Sequence, residues 1–124
     1  MKKIVSTEKA PAAIGPYSQG NIVNNCVYTS GQLPIDIETG KMPESISEQT
    51  RQSLMNVKSI VEEAGSSMDK IFKTTVFLSD MNNFAAMNEV YKEFFSGDFP
   101  SRSAVEVARL PLDALVEIEV IAVI

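Results

Sequence analysis

The stretch "FPSRSAVEVARLPLDALVEIEVIAV", Phe99 to Val123, decides how the chain is read. It has the pattern of two strands joined by a turn. Successive strand residues point to opposite faces of a sheet. Ser103, Val105 and Val107 then share one side, and Arg102, Ala104, Glu106 and Ala108 the other. In the last strand Val116, Ile118 and Val120 share one side, and Glu117, Glu119, Ile121 and Val123 the other. With both apolar sides turned to a helical layer, hairpin pairing gathers Arg102, Glu106, Glu117 and Glu119 on the opposite face. That face also carries Ala104, Ala108, Ile121 and Val123, so it is neither an ordinary wet face nor an ordinary core. Two readings stand. It is a solvated sheet face with scattered charge, the usual fate of an antiparallel sheet, or a subunit interface with a polar pocket, because buried charges demand partners. One arginine among acids suits a site that holds a carboxylate and a water together.

Working outward, "KIFKTTVFLSD" is rich in β-branched and aromatic residues and predicts a strand from Lys70 to Leu78. Between it and Phe99, Phe84, Met87, Val90, Tyr91 and Phe94 form a helical apolar stripe, with Gly97 as a stop. Upstream, Ser45 stands three residues before Glu48, a capping-box spacing. Leu54, Val57, Val61 and Ala64 follow at helical spacing and Gly65 is a natural C′ residue, which predicts a helix over Ser47–Ala64. Asn24-Asn25 stands between apolar residues, and Asn tolerates positive φ, so a hairpin joins strands Gly20–Val23 and Cys26–Gly31. A short first strand lies near Lys3–Val5. The order is that of an α+β fold with two helices on one face of a mixed sheet.

The length of 124 residues predicts one domain, 1–124. A deep cleft is hard to carve from a chain of this size, so a site is expected to need a second subunit. No apolar run is long enough for a membrane span, and "MKKIVSTEKAP" lacks the apolar core of a secretory signal. Cys26 is the only cysteine and cannot form an internal disulfide, so a cytoplasmic location is expected. Sixteen acids against 11 bases give a net charge of −5 with no Lys/Arg cluster, which argues against nucleic acid as the main partner. The chain has no histidine, so Ser-His-Asp and Cys-His mechanisms are impossible within it, and no ordinary transition-metal constellation exists. Chemistry is left to carboxylates, Tyr, Lys, Ser, Arg, backbone groups and water.

Five stretches carry a resemblance: "APAAIGPYSQG" (Ala10–Gly20), "TSGQLP" (Thr29–Pro34), "RQSLMNVKSIVEEAG" (Arg51–Gly65), "KTTVFLSDMNNFAAMNEVYKEFF" (Lys73–Phe95) and "PSRSAVEVARLP" (Pro100–Pro111). In this order and over nearly the whole chain they resemble the RidA family, also called YjgF. The resemblance implies a chorismate-mutase-like α+β fold with a six-stranded sheet. It implies a homotrimer with the sheets inside and the sites in clefts between subunits. It also implies hydrolysis of reactive enamines and imines such as 2-aminoacrylate, 2-iminopropanoate and 2-iminobutanoate to 2-keto acids and ammonia, without metal or organic cofactor.

Residue by residue, the resemblance makes Arg102, in "SRSA", the arginine that holds the substrate carboxylate; on pattern alone it is a surface salt bridge. A guanidinium fork suits a planar carboxylate better than Lys does. Glu117, in "LVEIEV", matches the glutamate that positions or activates water, against a solvated strand residue on pattern alone. Tyr17, in "GPYSQG", matches a tyrosine near the reacting centre, otherwise a packed loop aromatic. Ser30 and Gly31 match a ligand-contacting strand end, otherwise an ordinary turn. Asn88 matches an Asn of the second helix, otherwise a solvent-facing helix residue. The position of Ala104 is commonly cysteine in the family. No thiol acts there in this chain, whereas a substrate contact from the 104 backbone N–H is unaffected. The "SGDF" loop before Pro100 is also shorter than in many relatives, which changes the rim of the cleft.

The residue list suits this chemistry. A protonated imine is already electrophilic and needs orientation, a proton route and water rather than a protein nucleophile. Competing readings are a binding module that senses small carboxylic or amino acids in the same clefts, and a chaperone-like regulatory protein.

Overall fold

A computed structural model describes residues 1–124. In chain order the elements are β1 Lys3–Val5, β2 Gly20–Val23, β3 Cys26–Thr29, α1 Ile46–Glu63, β4 Ile71–Leu78, α2 Phe84–Tyr91, β5 Ser101–Glu106 and β6 Val116–Val123. One six-stranded sheet has the order β1-β2-β3-β6-β4-β5. All pairs are antiparallel except β4 with β5.

Local sequence explains most boundaries. The Ser45 hydroxyl accepts from the Glu48 N–H at 3.1 Å and starts α1. At the other end Gly65 has φ +92°, the Ser66 N–H reaches the Val61 carbonyl at 2.8 Å and the Gly65 N–H the Glu62 carbonyl at 3.0 Å. That is a Schellman stop, which a Cβ at Gly65 would strain. Asn24 and Asn25 have φ of 48° and 62°, the two positive values that a tight primed hairpin turn requires. β3 ends at Thr29, two residues earlier than the pattern predicts; beyond it Gln32 forms an isolated bridge to Ile118.

Both helices pack on one face. Leu54, Val57, Ile60 and Val61 of α1 and Met87 of α2 bury against Val76, Leu78, Val116, Ile118 and Val120 of the sheet. Burying each such side chain is worth about 1.5–3 kcal/mol. A second, polar stripe on α1 ties down the loops. Asn56 donates to the carbonyls of Leu33 and Ile35, both at 3.0 Å, and Gln49 accepts from the Leu115 N–H at 2.8 Å.

The closing pair of strands differs from the hairpin expectation. β5 runs parallel to β4, with α2 as the crossover between them, and β4 separates β5 from β6. A parallel pair requires such a crossover, and the β4–α2–β5 order supplies it. The link from Val107 to Leu115 is no tight turn: Leu112 and Asp113 both have positive φ, 58° and 55°.

The faces change with the topology. Arg102, Ala104 and Glu106 pair with Thr74, Val76 and Leu78, which point to the helices. Glu117 and Glu119 pair with Phe77 and Thr75, on the open face. The expected gathering of Arg102, Glu106, Glu117 and Glu119 on one face is therefore corrected: the first two stand on the helix side and the last two on the open side. The pattern misled because Val105 is on the open face, 43% exposed, while α2 covers the Arg102 side. On an edge strand the apolar residue need not mark the inside.

Candidate active site in two halves

The first half lies where β3, β6 and the loop before β2 meet. Ser30 closes that loop: its hydroxyl donates to the Ser18 carbonyl at 2.6 Å and its N–H to the Gln19 carbonyl at 2.9 Å. Two residues on, the Gln32 N–H donates to the Ile118 carbonyl at 2.8 Å, beside Glu117. Between these ties, Gly31 lies under the Glu117 carboxyl, in space that a Cβ would need. The buried side-chain amide of Gln19 holds the loop from inside, accepting from the Thr7 N–H and donating to the Pro11 carbonyl at 2.8 Å. Tyr17 is half exposed at the end of this loop.

Tyr17, Ser30, Gly31 and Glu117 line one cleft of about 1220 Å³, with Ile14 and Leu112 among its apolar walls. Burial pushes the Glu117 carboxyl above the usual carboxylate range, and the neighbouring Glu119 charge adds to the rise. A half-buried carboxylate held reluctantly ionised is a good proton acceptor for water.

The second half lies across the sheet, at the edge. The Arg102 Nη1 donates to the Asn88 side-chain oxygen at 2.7 Å. Its guanidinium carbon stands 4.8 Å from the Tyr91 ring centre and 5.4 Å from that of Phe84. Arg102 takes part in none of the chain's three ion pairs, Arg51–Glu93, Lys92–Glu89 and Arg109–Asp113. Asn88, Arg102, Tyr91 and Phe99 line a smaller cleft of about 360 Å³.

The structure thus brings together Tyr17, Ser30, Gly31 and Glu117, and separately Asn88 and Arg102. It does not bring the two sets into one cleft of the chain. Ala104 stands between them in register, half-buried against the core, and lines neither cleft. Sequence reasoning missed Phe84 and Tyr91 as neighbours of Arg102. Their helical spacing marks both as core, and the signal that distinguishes them is the parallel register of Arg102 with Thr74, which a single chain's pattern does not carry.

Fold and clefts together define a class: a small α+β protein with one helical layer on a mixed sheet and two open clefts, one lined by Arg102 and one by Glu117. The chain belongs to the Ribonuc_L-PSP family, described as endoribonuclease L-PSP and also known as RidA or YjgF, whose family model matches residues 7–124. It is 56% identical to the 2-iminobutanoate/2-iminopropanoate deaminase of Salmonella typhimurium, over 99% of this chain and 98% of that protein. The Escherichia coli protein of the same name is 54% identical over the same shares. Among solved structures, E. coli TdcF with bound serine superposes with a TM-score of 0.94 at 50% identity, covering 98% of each chain. The E. coli YjgF gene product gives 0.93 at 52% identity, again covering 98% of each.

Proposed function

We infer that this chain is an imine deaminase, which hydrolyses 2-iminobutanoate- and 2-iminopropanoate-type compounds to 2-oxo acids and ammonia. Identity above one half to two deaminases of that name, over nearly the full length, supports the activity. The observation that carries the site assignment is Arg102: a guanidinium fixed by Asn88, flanked by two aromatic rings and without a counter-ion in its own chain. Such a group is preset for a carboxylate.

In this reading Arg102 binds the carboxylate of the imino acid and so orients its C=N carbon. Water adds to the carbon of the protonated C=N as Glu117 accepts one of the water's protons, and Tyr17 helps hold the water. Glu117 returns that proton to the amino nitrogen of the tetrahedral adduct, ammonia leaves, and the adduct's hydroxyl gives its proton to the vacated Glu117 carboxylate, and from there to solvent, as the C=O of the 2-oxo acid forms. An enamine enters by taking a proton on its terminal carbon. Ser30, Gly31 and the backbone N–H of Ala104 are assigned to substrate contact.

Two half-sites in one chain imply that a whole site joins two copies. Tyr28 and Val123, over two-fifths exposed, share the open sheet face with Val105 and Ile121, and this apolar surface is what a subunit interface would cover. We propose a homotrimer, with Arg102 of one subunit completing the Glu117 cleft of the next. Light scattering tests it; a monomer at micromolar concentration would defeat the shared site. No helix is long and apolar enough to cross a membrane, and we assign the enzyme to the cytoplasm. The word endoribonuclease in the family's description has no support in charge: at −5 the chain lacks the basic track that RNA phosphates need.

The deciding experiment generates 2-aminoacrylate in situ and measures 2-oxo acid and ammonia release above spontaneous decay. A rate equal to spontaneous decay rejects the enzyme and leaves ligand binding at the same clefts.

A further inference from the structure

We propose that Tyr91 is a positioning residue for Arg102, its ring serving as the platform that sets the plane of the carboxylate-binding guanidinium. The inference rests on the reading of Arg102 as the substrate clamp. Arginine is among the most rotamer-rich side chains, and each rotamer frozen on binding weakens the complex. A guanidinium frozen beforehand avoids that loss, so what freezes Arg102 contributes to substrate binding.

Three elements converge to do so. Thr74 on β4 is the cross-strand neighbour of Arg102 on β5. Its fully buried hydroxyl is 2.7 Å from the hydroxyl of Tyr91, the last residue of α2. Phe95 packs against the Tyr91 ring in a tilted arrangement, with ring centres 4.9 Å apart and 43° between the planes. The Arg102 guanidinium carbon lies over the ring, 4.8 Å from its centre. The ring is thus held at its hydroxyl by Thr74, packed by Phe95 and loaded by the guanidinium. Burial raises the phenol pKa, so the hydroxyl stays protonated at neutral pH and its bond to Thr74 persists. Asn88, one helical turn before Tyr91, holds Nη1 through its side-chain oxygen while the guanidinium lies over the ring. Arg102 itself lines the cleft that Phe99 and Pro100 border.

The test is a double-mutant cycle with the stable product 2-oxobutanoate as ligand, read by titration calorimetry, together with turnover of 2-aminoacrylate and thermal unfolding. Tyr91→Leu removes the platform and should weaken binding up to about tenfold, the cost of ordering one rotamer-rich side chain on binding. Tyr91→Phe keeps the ring but frees it from Thr74, and should lose less than about threefold. Tyr91→Met fills the volume against Phe95 without a ring face, and should behave like Tyr91→Leu should the latter fold poorly. In an Arg102→Lys background, which keeps a cation and weaker binding but no planar fork, Tyr91→Leu should cost less than about threefold further, because the ring acts by aligning the guanidinium. A merely structural tyrosine would lower the unfolding temperature and bind equally well, or would cost as much in the Arg102→Lys background as in the parent; either result overturns the platform. The failure of the clamp itself is distinct: Arg102→Ala would then bind 2-oxobutanoate like the parent. Loss of binding in Arg102→Ala alongside parental binding in both Tyr91→Leu and Tyr91→Met leaves the clamp and removes only the platform.

Discussion

The Glu117 carboxyl lies directly over Gly31, in the volume where any other residue would place its Cβ. The backbone of Gly31 has no positive φ, so alanine fits there conformationally. The nearest conflicts are all with the Glu117 side chain, tightest at its carboxyl and reaching Cγ, and that side chain can swing away. Gly31→Ala should therefore keep the fold within roughly 1 kcal/mol, as an uncritical substitution does. Turnover should fall at least about tenfold, because displacing a proton acceptor by an ångström is costly in a near-attack geometry. Thermal unfolding set beside turnover separates the two; a fully active Gly31→Ala would remove Glu117 from the chemistry.

Glu117 also gives the pH dependence a sign. Its carboxyl is raised above the ordinary range by burial first and by Glu119 second. As a proton acceptor it works ionised, so the rate should rise with pH through an acid limb displaced above the usual carboxylate range. Glu119→Gln removes the like charge and should move that limb to lower pH. Stability runs the other way. A carboxyl whose folded pKa is raised binds its proton more tightly when folded, so its contribution is full below the unfolded pKa and is lost as pH rises through the folded one. Glu117→Gln should then unfold at a higher temperature than the parent at neutral pH while turning over more slowly. An acid limb unmoved in Glu119→Gln would assign the limb to another group.

How much of this was legible in the chain follows from the range of each signal. The ends of α1 and the Asn24-Asn25 hairpin are written locally, in Ser45, Gly65 and the two asparagines, and the structure keeps them. The alternation of β6 is legible because one of its faces is deeply buried. β5 is an edge strand, and whether Arg102 or Val105 faces the helices depends on its pairing with β4, which α2 decides at long range. The same nonlocality hid Tyr91: a buried helix aromatic and a platform for a cation look alike in sequence. Gly31 and Glu117 are far apart in the chain and meet only through the Gln32–Ile118 bridge. The motifs that resemble a known family named these residues; spacing alone could not have joined them.

Arg102 and Glu117 should fail in different ways. Removing one partner of a buried charged pair costs about 2–5 kcal/mol, so Arg102→Ala should lose nearly all binding of a 2-oxo acid and most turnover. Arg102→Lys should also be poor: a compact ammonium cannot bridge to Asn88 and present a fork at once. Glu117→Gln should still bind the 2-oxo acid, because the carboxylate of that ligand is held elsewhere, yet lose rate. Calorimetry and turnover on the three variants check this. Equal binding loss in Arg102→Ala and Glu117→Gln would mean that the two residues share one role.

Because Arg102 and Glu117 stand on opposite faces of one sheet, with β4 between their strands, a site that uses both should be assembled from two chains. This has a consequence that no single variant reveals. In the trimer proposed above, Arg102→Ala chains alone and Glu117→Gln chains alone should each give nearly inactive assemblies. Unfolded together in equal amounts and refolded, they form mixed trimers in which an intact Glu117 cleft from one variant meets an intact Arg102 from the other. With random assembly in a closed ring, about a quarter of the sites regain both groups, and activity should return to that fraction of the parent. A site built within one chain predicts no recovery, since every chain still lacks one group. Simple mixing without unfolding should give little at first and rise only as subunits exchange. Recovery that appears with refolding and tracks the formation of mixed trimers by native mass spectrometry would establish the shared site; refolded mixed trimers without activity would refute the division.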